Sequence, residues 1–117
     1  MTARGDVVLV DFPFTSGAPG KIRPALVIQN DTDNARLRDT VVALISGNTR
    51  RIAEPTLLLV DPATPDGATS GLHGPSAVIC NQLYTMRQHL VVRKIGELST
   101  DLMDQVDDCL KAALELT

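Results

Sequence analysis

Gly20-Lys21-Ile22-Arg23-Pro24-Ala25-Leu26-Val27-Ile28-Gln29-Asn30-Asp31 places two cationic side chains at the mouth of an apolar run. Pro24 fixes its own φ and biases Arg23 away from helix. Pro24 to Gln29 is therefore expected as a buried strand with a guanidinium at its first turn. Arginine's planar, permanently charged fork suits phosphate. A surface arginine at a strand end would give the same local pattern. The preceding Pro13 to Gly20 contains two Pro and two Gly and reads as loop.

The flanking sequence supplies more short strands. Val7 to Phe12, Thr40 to Ser46 and Thr56 to Val60 read as strands, and Asp31 to Asp39 as a short helical turn. Asp61 to Pro75 is a Pro- and Gly-rich loop. Ser76 to Cys80 and Gln82 to Met86 are strand segments with Asn81 at a bend, and Gln88 to Lys94 is a further strand. Strands at such close spacing indicate an antiparallel sheet or small barrel. The end of the chain differs: Leu102, Met103, Val106, Cys109, Leu110, Ala113 and Leu114 recur at helical spacing. Ser99 is placed to cap that helix, Asp101 puts a negative charge in its first turn, and Leu98 and Met103 stand at the staple positions. The expected fold is mainly β with a C-terminal α-helix, one domain over residues 1–117.

Composition sets the outer limits. The chain has 117 residues, 44% hydrophobic and 21% charged, ordinary for a globular protein. No apolar run approaches the ~18 residues of a membrane span, and the N-terminus lacks the order of a signal peptide. The cytoplasm is the expected compartment, with no membrane partner. Arg4-Gly5-Asp6 is then the approach to a strand rather than an adhesion motif, and Asn30-Asp31-Thr32 is no glycosylation acceptor. The net charge of −3 argues against a nucleic-acid partner only superficially. Residues 96–117 hold six acids and one base; the remainder holds ten bases and eight acids. A basic face of Lys21, Arg23, Arg50, Arg51 and Arg87 is compatible with that distribution. Cys80 and Cys109 lack metal-ligand spacing and read as reduced core thiols. His73 and His89 have no triad-like company.

Ser46-Gly47-Asn48-Thr49-Arg50-Arg51 follows the third strand at once. It gathers two hydroxyls, an amide and two guanidiniums within six residues, although a solvated polar turn would read alike. No metal cluster, dinucleotide fingerprint, Walker loop or nucleophile elbow is present, so no cofactor and no metal are expected. The aromatics are Phe12, Phe14 and Tyr84, too few for a general single-strand coating protein.

The opening Arg4-Gly5-Asp6-Val7-Val8-Leu9-Val10-Asp11, the Lys21-to-Asn30 strand with its Arg-Pro pair, the Val41-to-Ser46 strand, Asn81-Gln82-Leu83-Tyr84-Thr85 and the closing helix from Val106 to Leu116 resemble, in order, the MazF/PemK family of bacterial toxins. The resemblance implies a small SH3-like barrel. It also implies a homodimer that cuts single-stranded RNA at short sequences without ribosome or metal, held inactive by a MazE-like antitoxin. Carried onto this sequence, it makes Arg23 the catalytic arginine and Ser46 the catalytic hydroxyl. Many members have Thr at the latter position, and Thr49 is a rival. Lys21, Asn48, Thr49, Arg50, Arg51, Asn81 and Gln82 would bind RNA, with Gly47 admitting the backbone. The expected products are 2′,3′-cyclic phosphate and 5′-OH ends. A CcdB-like gyrase poison uses the same small barrel without catalysis. A non-catalytic SH3-like module would need an aromatic-lined groove.

Overall fold

The computed structural model describes residues 2–12 and 21–117. The expected loop Pro13 to Gly20 lies outside the described residues, as does Phe14. The elements are β1 (Asp6–Phe12), β2 (Lys21–Val27), α1 (Asp31–Arg36), β3 (Asp39–Ser46), β4 (Leu57–Val60), β5 (Ser76–Arg87), a 3₁₀ turn (Gln88–Leu90), β6 (Val91–Glu97) and α2 (Thr100–Leu114). The six strands form one antiparallel sheet in the order β4-β5-β3-β2-β1-β6.

That order forces curvature. Only the 3₁₀ turn joins β5 to β6, yet β3, β2 and β1 lie between them. In a flat sheet the two strands would stand about 19 Å apart at ~4.8 Å per strand. The four steps from Arg87 to Val91 reach at most about 14 Å. The sheet must coil, and both its faces become interior. Val8, Val10 and Phe12 of β1 meet Ala25, Val27, Val42 and Met86 on the inner side, closed by Leu90 and Val91. Val7 faces the other way, with Leu26, Ala43, Ile45, Val78 and Cys80, beneath α2. This is the barrel-like arrangement expected, with β4 and β6 as unjoined edges among the described residues.

The helix seals the second core. Ser99 Oγ accepts from Leu102 N (3.2 Å), and Leu102, Met103, Val106 and Cys109 are buried. Full burial of each such side chain contributes about 1.5–3 kcal/mol. The stripe stops short of its expected length: Leu114 is exposed, beside the left-handed cap at Glu115. Arg4 ties the helix to the start of β1, its Nη2 lying 2.6 Å from Asp107 Oδ1 and its Nε donating to Ile28 O. No helix among the described residues is long and apolar enough to cross a membrane.

Most strand ends fall within a residue of the sequence expectation, but β2 and β6 are shifted further. β2 begins at Lys21 and ends at Val27. Its first residues pair with β1, whereas the Ile28 and Gln29 N–H groups both turn to Val41 O. Gln88 to Leu90 is not strand: Gln88 N donates to Arg38 O, and its side-chain amide donates to Asn34 O and Leu37 O. These bonds hold a turn, and β6 starts only at Val91.

Candidate active site

Pro24 shapes the site. β2 and β3 pair at Val27↔Val42, Leu26↔Ala43 and Ala25↔Leu44, and the ladder stops there. Pro24 has no N–H to contribute to it. Extended by two positions, the same register sets Arg23 opposite Ser46. Alternation along the strands turns both toward the face of Ala25, Val27 and Val42. Where the ladder ends a cleft of about 370 Å³ opens, lined by Arg23, Pro24, Leu44, Ile45, Ser46, Gly47, Phe12 and Tyr84.

Ser46 also borders a second hollow, of about 280 Å³, with Asn48, Arg50, Arg51, Glu54, Leu57, Ile79, Asn81 and Gln82. The β5 bulge supplies two of these. The register jumps from Ala43↔Leu83 to Leu44↔Ile79, so Cys80, Asn81 and Gln82 face no paired partner on β3. The expected bend at Asn81 is this bulge, inside one continuous strand rather than between two. Asn81 and Gln82 are pushed outward and exposed. The turn after β3 is tied by its own side chains: Ser46 Oγ accepts from Asn48 N (3.1 Å), and Asn48 Oδ1 accepts from Arg50 N (3.1 Å). Ser46 thus keeps its O–H proton, and Asn48 its amide donors, for an incoming group.

Arg23, Ser46, Asn48, Arg50, Arg51, Asn81 and Gln82 therefore converge. Among the described residues, none of the three arginines forms a salt bridge. The remaining expectations fall elsewhere. Thr49 lines neither hollow; its carbonyl accepts from Ile52 N. Lys21 is exposed opposite Phe12 and lines neither. Arg87 does not belong to this basic face. It lies beside Asp39, 3.4 Å from its carboxylate, and β3 runs from Asp39 to Ser46, so Arg87 sits at the far end of that strand.

Three lining residues escape a reading of the sequence. Phe12 and Tyr84 come together edge to face, ring centroids 5.3 Å apart, although 71 positions of chain separate them. Alternation from Gln82 to Tyr84 was the available signal for one of them. Glu54, the one carboxylate lining either hollow among the described residues, carries no sequence signal. Those residues also hold no group of three His, Cys, Asp or Glu side chains placed as metal ligands. Cys80 of β5 is buried beneath α2, and Cys109 lies buried on the inner face of that helix. Burial pushes the Cys80 thiol up to about 12, with neighbouring Cys109 adding to the effect, which fits an inert packing group.

The fold is shared with known proteins. The chain is 32% identical over 114 residues to Endoribonuclease EndoA of Bacillus subtilis, covering 97% of this chain and 94% of that protein. Its fold matches a mycobacterial endoribonuclease solved with its cognate antitoxin, with a TM-score of 0.79, 20% identity, and 100% of this chain and 98% of that one covered. It also matches Mycobacterium tuberculosis toxin MazF-mt6 (TM-score 0.77, 23% identity, 96% and 98% covered) and a MazE-MazF structure from Deinococcus radiodurans (0.74, 18%, 99% and 98%). Residues 3–114, which hold every strand and the helix described above, match the family described as PemK-like, MazF-like toxin of type II toxin-antitoxin system, and the chain belongs to that family.

Proposed function

We propose that this chain is the toxin of a type II toxin-antitoxin system, an endoribonuclease that cuts single-stranded RNA at the Arg23–Ser46 cleft. The observation that carries the assignment of residues is the end of the β2–β3 ladder at Pro24, beyond which the Arg23 guanidinium, without a salt bridge among the described residues, and the Ser46 hydroxyl line one cleft. RNA brings its own nucleophile, the 2′-OH beside each phosphate. That oxygen gives up its proton to solvent as it attacks phosphorus, the P–O5′ bond breaks, the departing 5′-oxygen takes a proton from solvent, and the products are a 2′,3′-cyclic phosphate and a 5′-OH. Arg23 offers a bidentate pair of charge-assisted hydrogen bonds to the phosphate oxygens. A preorganised donor of this kind contributes about 3–4 kcal/mol to lowering the barrier. Ser46 adds a third donor. Asn48, Asn81 and Gln82 carry donor and acceptor pairs for reading base edges, and Tyr84 gives a base an aromatic surface.

No step in this scheme calls for a metal. The protein works as a homodimer in the cytoplasm, restrained by a MazE-like antitoxin. Family membership and the endoribonuclease relative favour this reading over a gyrase poison or an adaptor. The test is incubation of the purified protein with a long RNA in EDTA, followed by mapping of the ends. Cleavage at a short recurrent sequence with cyclic-phosphate ends is expected. Activity that vanished in EDTA and returned with magnesium would overturn the mechanism.

A further inference from the structure

We propose that the RNA site continues past Pro24 and Gly47 into a second subsite, centred on Arg93 and His73, that holds a nucleotide beyond the two joined by the scissile phosphate. The inference rests on the reading of the Arg23–Ser46 cleft as the RNA-cleaving site. Arg93 of β6 pairs with Leu9 of β1, and Leu9 pairs with Pro24 of β2. One row across three strands, on the sheet face opposite Arg23 and Ser46, thus runs from Pro24 at the cleft's edge to Arg93. Along it lies a hollow of about 530 Å³ that shares Pro24 and Gly47 with the catalytic cleft. Gly47 is a low wall between them, because a Cβ built there would meet nothing within 4 Å. A strand lying over Gly47 reaches both sides.

The chemistry of the hollow matches one nucleotide. Leu9, Leu72 and Ile95 give it an apolar floor for a base or sugar face, and Arg93 and His73 border it. Among the described residues Arg93 has no carboxylate partner, and no carboxylate lines the hollow. Lys94 borders it too, but its ammonium is engaged by Asp6 (3.2 Å) and Glu97 (3.8 Å). An unneutralised guanidinium over apolar surface, continuous with a phosphate-handling cleft, selects RNA rather than an apolar peptide.

The experiment compares a minimal RNA spanning the mapped cleavage step with the same RNA extended by three nucleotides on its 5′ or 3′ side. Wild-type protein should gain affinity from extension on one side only. Arg93→Ala and His73→Ala should lose that gain, with KM for the extended RNA rising roughly tenfold in Arg93→Ala and the minimal RNA cleaved as before. Arg93→Ala should also flatten the dependence of log K on log salt by about 0.7, one single-strand phosphate contact. Arg93→Lys should recover part of the gain. Circular dichroism and a melting curve establish that each variant is folded. If extension helps wild type and Arg93→Ala equally, or if the variant weakens minimal and extended RNA alike, the subsite is refuted while the nuclease reading stands. If Arg93→Ala alters only dimerisation or affinity for an acidic antitoxin peptide, the hollow is a protein-docking surface and the proposal falls. Wild-type protein that neither binds nor cuts RNA would defeat both readings.

Discussion

Arg23 is aimed by backbone pairing, with no ion pair among the described residues, because Val10 fixes its register on one side and Pro24 stiffens the chain on the other. Arg23→Ala should therefore leave the fold intact and lower RNA cleavage by at least ~10²-fold, the rate equivalent of one lost preorganised donor. Arg23→Lys should stay poor, since a point charge lacks the fork. Ser46→Ala should cost a similar or smaller factor and Thr49→Ala little, because Thr49 lines neither hollow. The reverse order in a single-turnover assay would move the hydroxyl role to Thr49. The Arg23-Pro24 pair and the polar turn from Ser46 stand out in the sequence, but a catalytic role for Arg23 and Ser46 comes from the family resemblance, since a surface arginine and a solvated turn would read alike. Phe12 and Glu54 carry no such mark, because they meet the site only through register and curvature, and Tyr84 has only the alternation from Gln82 to place it. Cys80 gives a prediction in pH. Its thiol is held protonated by burial, with the folded value raised to about 12 from an ordinary value near 9. The folded chain then binds more protons than the unfolded chain across that window. The stability is fully present below pH ~9 and is lost as pH rises toward 12. Lys94, raised by its hydrogen bond to Asp6, adds a loss of the same sign. Urea titrations at pH 8, 9.5 and 11 should show a steep fall in wild type and a shallower one in Cys80→Ala. Equal slopes would remove Cys80 from the account.

Strands and the helix are legible in the sequence where a single cause fixes them. Ser99 begins α2 because its Oγ caps Leu102 N, and the apolar 3.6-residue spacing follows directly. Gln88 misled because its apolar neighbours suggested a strand, while bonds to Arg38, Asn34 and Leu37, tens of positions away in sequence, made a turn. Arg87 was grouped with the basic face on charge alone; its distance from that face is set by β3 running from Asp39 to Ser46. The caps and turns can be tested separately. Ser99→Ala should destabilise the protein by about 1 kcal/mol. Gly71 lies at φ +73, and a Cβ there would stand 2.0 Å from Ile95 O. Gly71→Ala combines a left-handed backbone with a backbone clash, so it should cost more than Ser99→Ala, at least ~1–3 kcal/mol. Denaturation midpoints at an unchanged m-value decide both. A Gly71→Ala protein as stable as wild type would show that the 71–75 loop yields without cost.

An enzyme that cuts the RNA of its own cell needs an inhibitor, and the charge distribution says where one would sit. The acids of residues 96–117 lie on or beside α2. Arg23, Arg50 and Arg51, by contrast, border the two hollows that meet at Ser46, without salt-bridge partners among the described residues. An acidic, partly disordered antitoxin tail laid across them would imitate the RNA phosphates and fold as it binds. A two-fold symmetric dimer would offer two such grooves. Three consequences follow together from that one placement. Binding weakens with salt, because the arginines are exposed and screened; the tail competes with RNA; and Arg50→Ala with Arg51→Ala weakens tail and RNA alike. The measurement is a titration of the neighbouring gene's product against RNA-bound toxin at 50 and 300 mM salt. Displacement of RNA at the lower salt, with loss of tail affinity at the higher, is expected. A partner that bound tightly while RNA affinity and cleavage stayed unchanged would place the inhibitor away from the groove, on a surface that acts through the dimer instead.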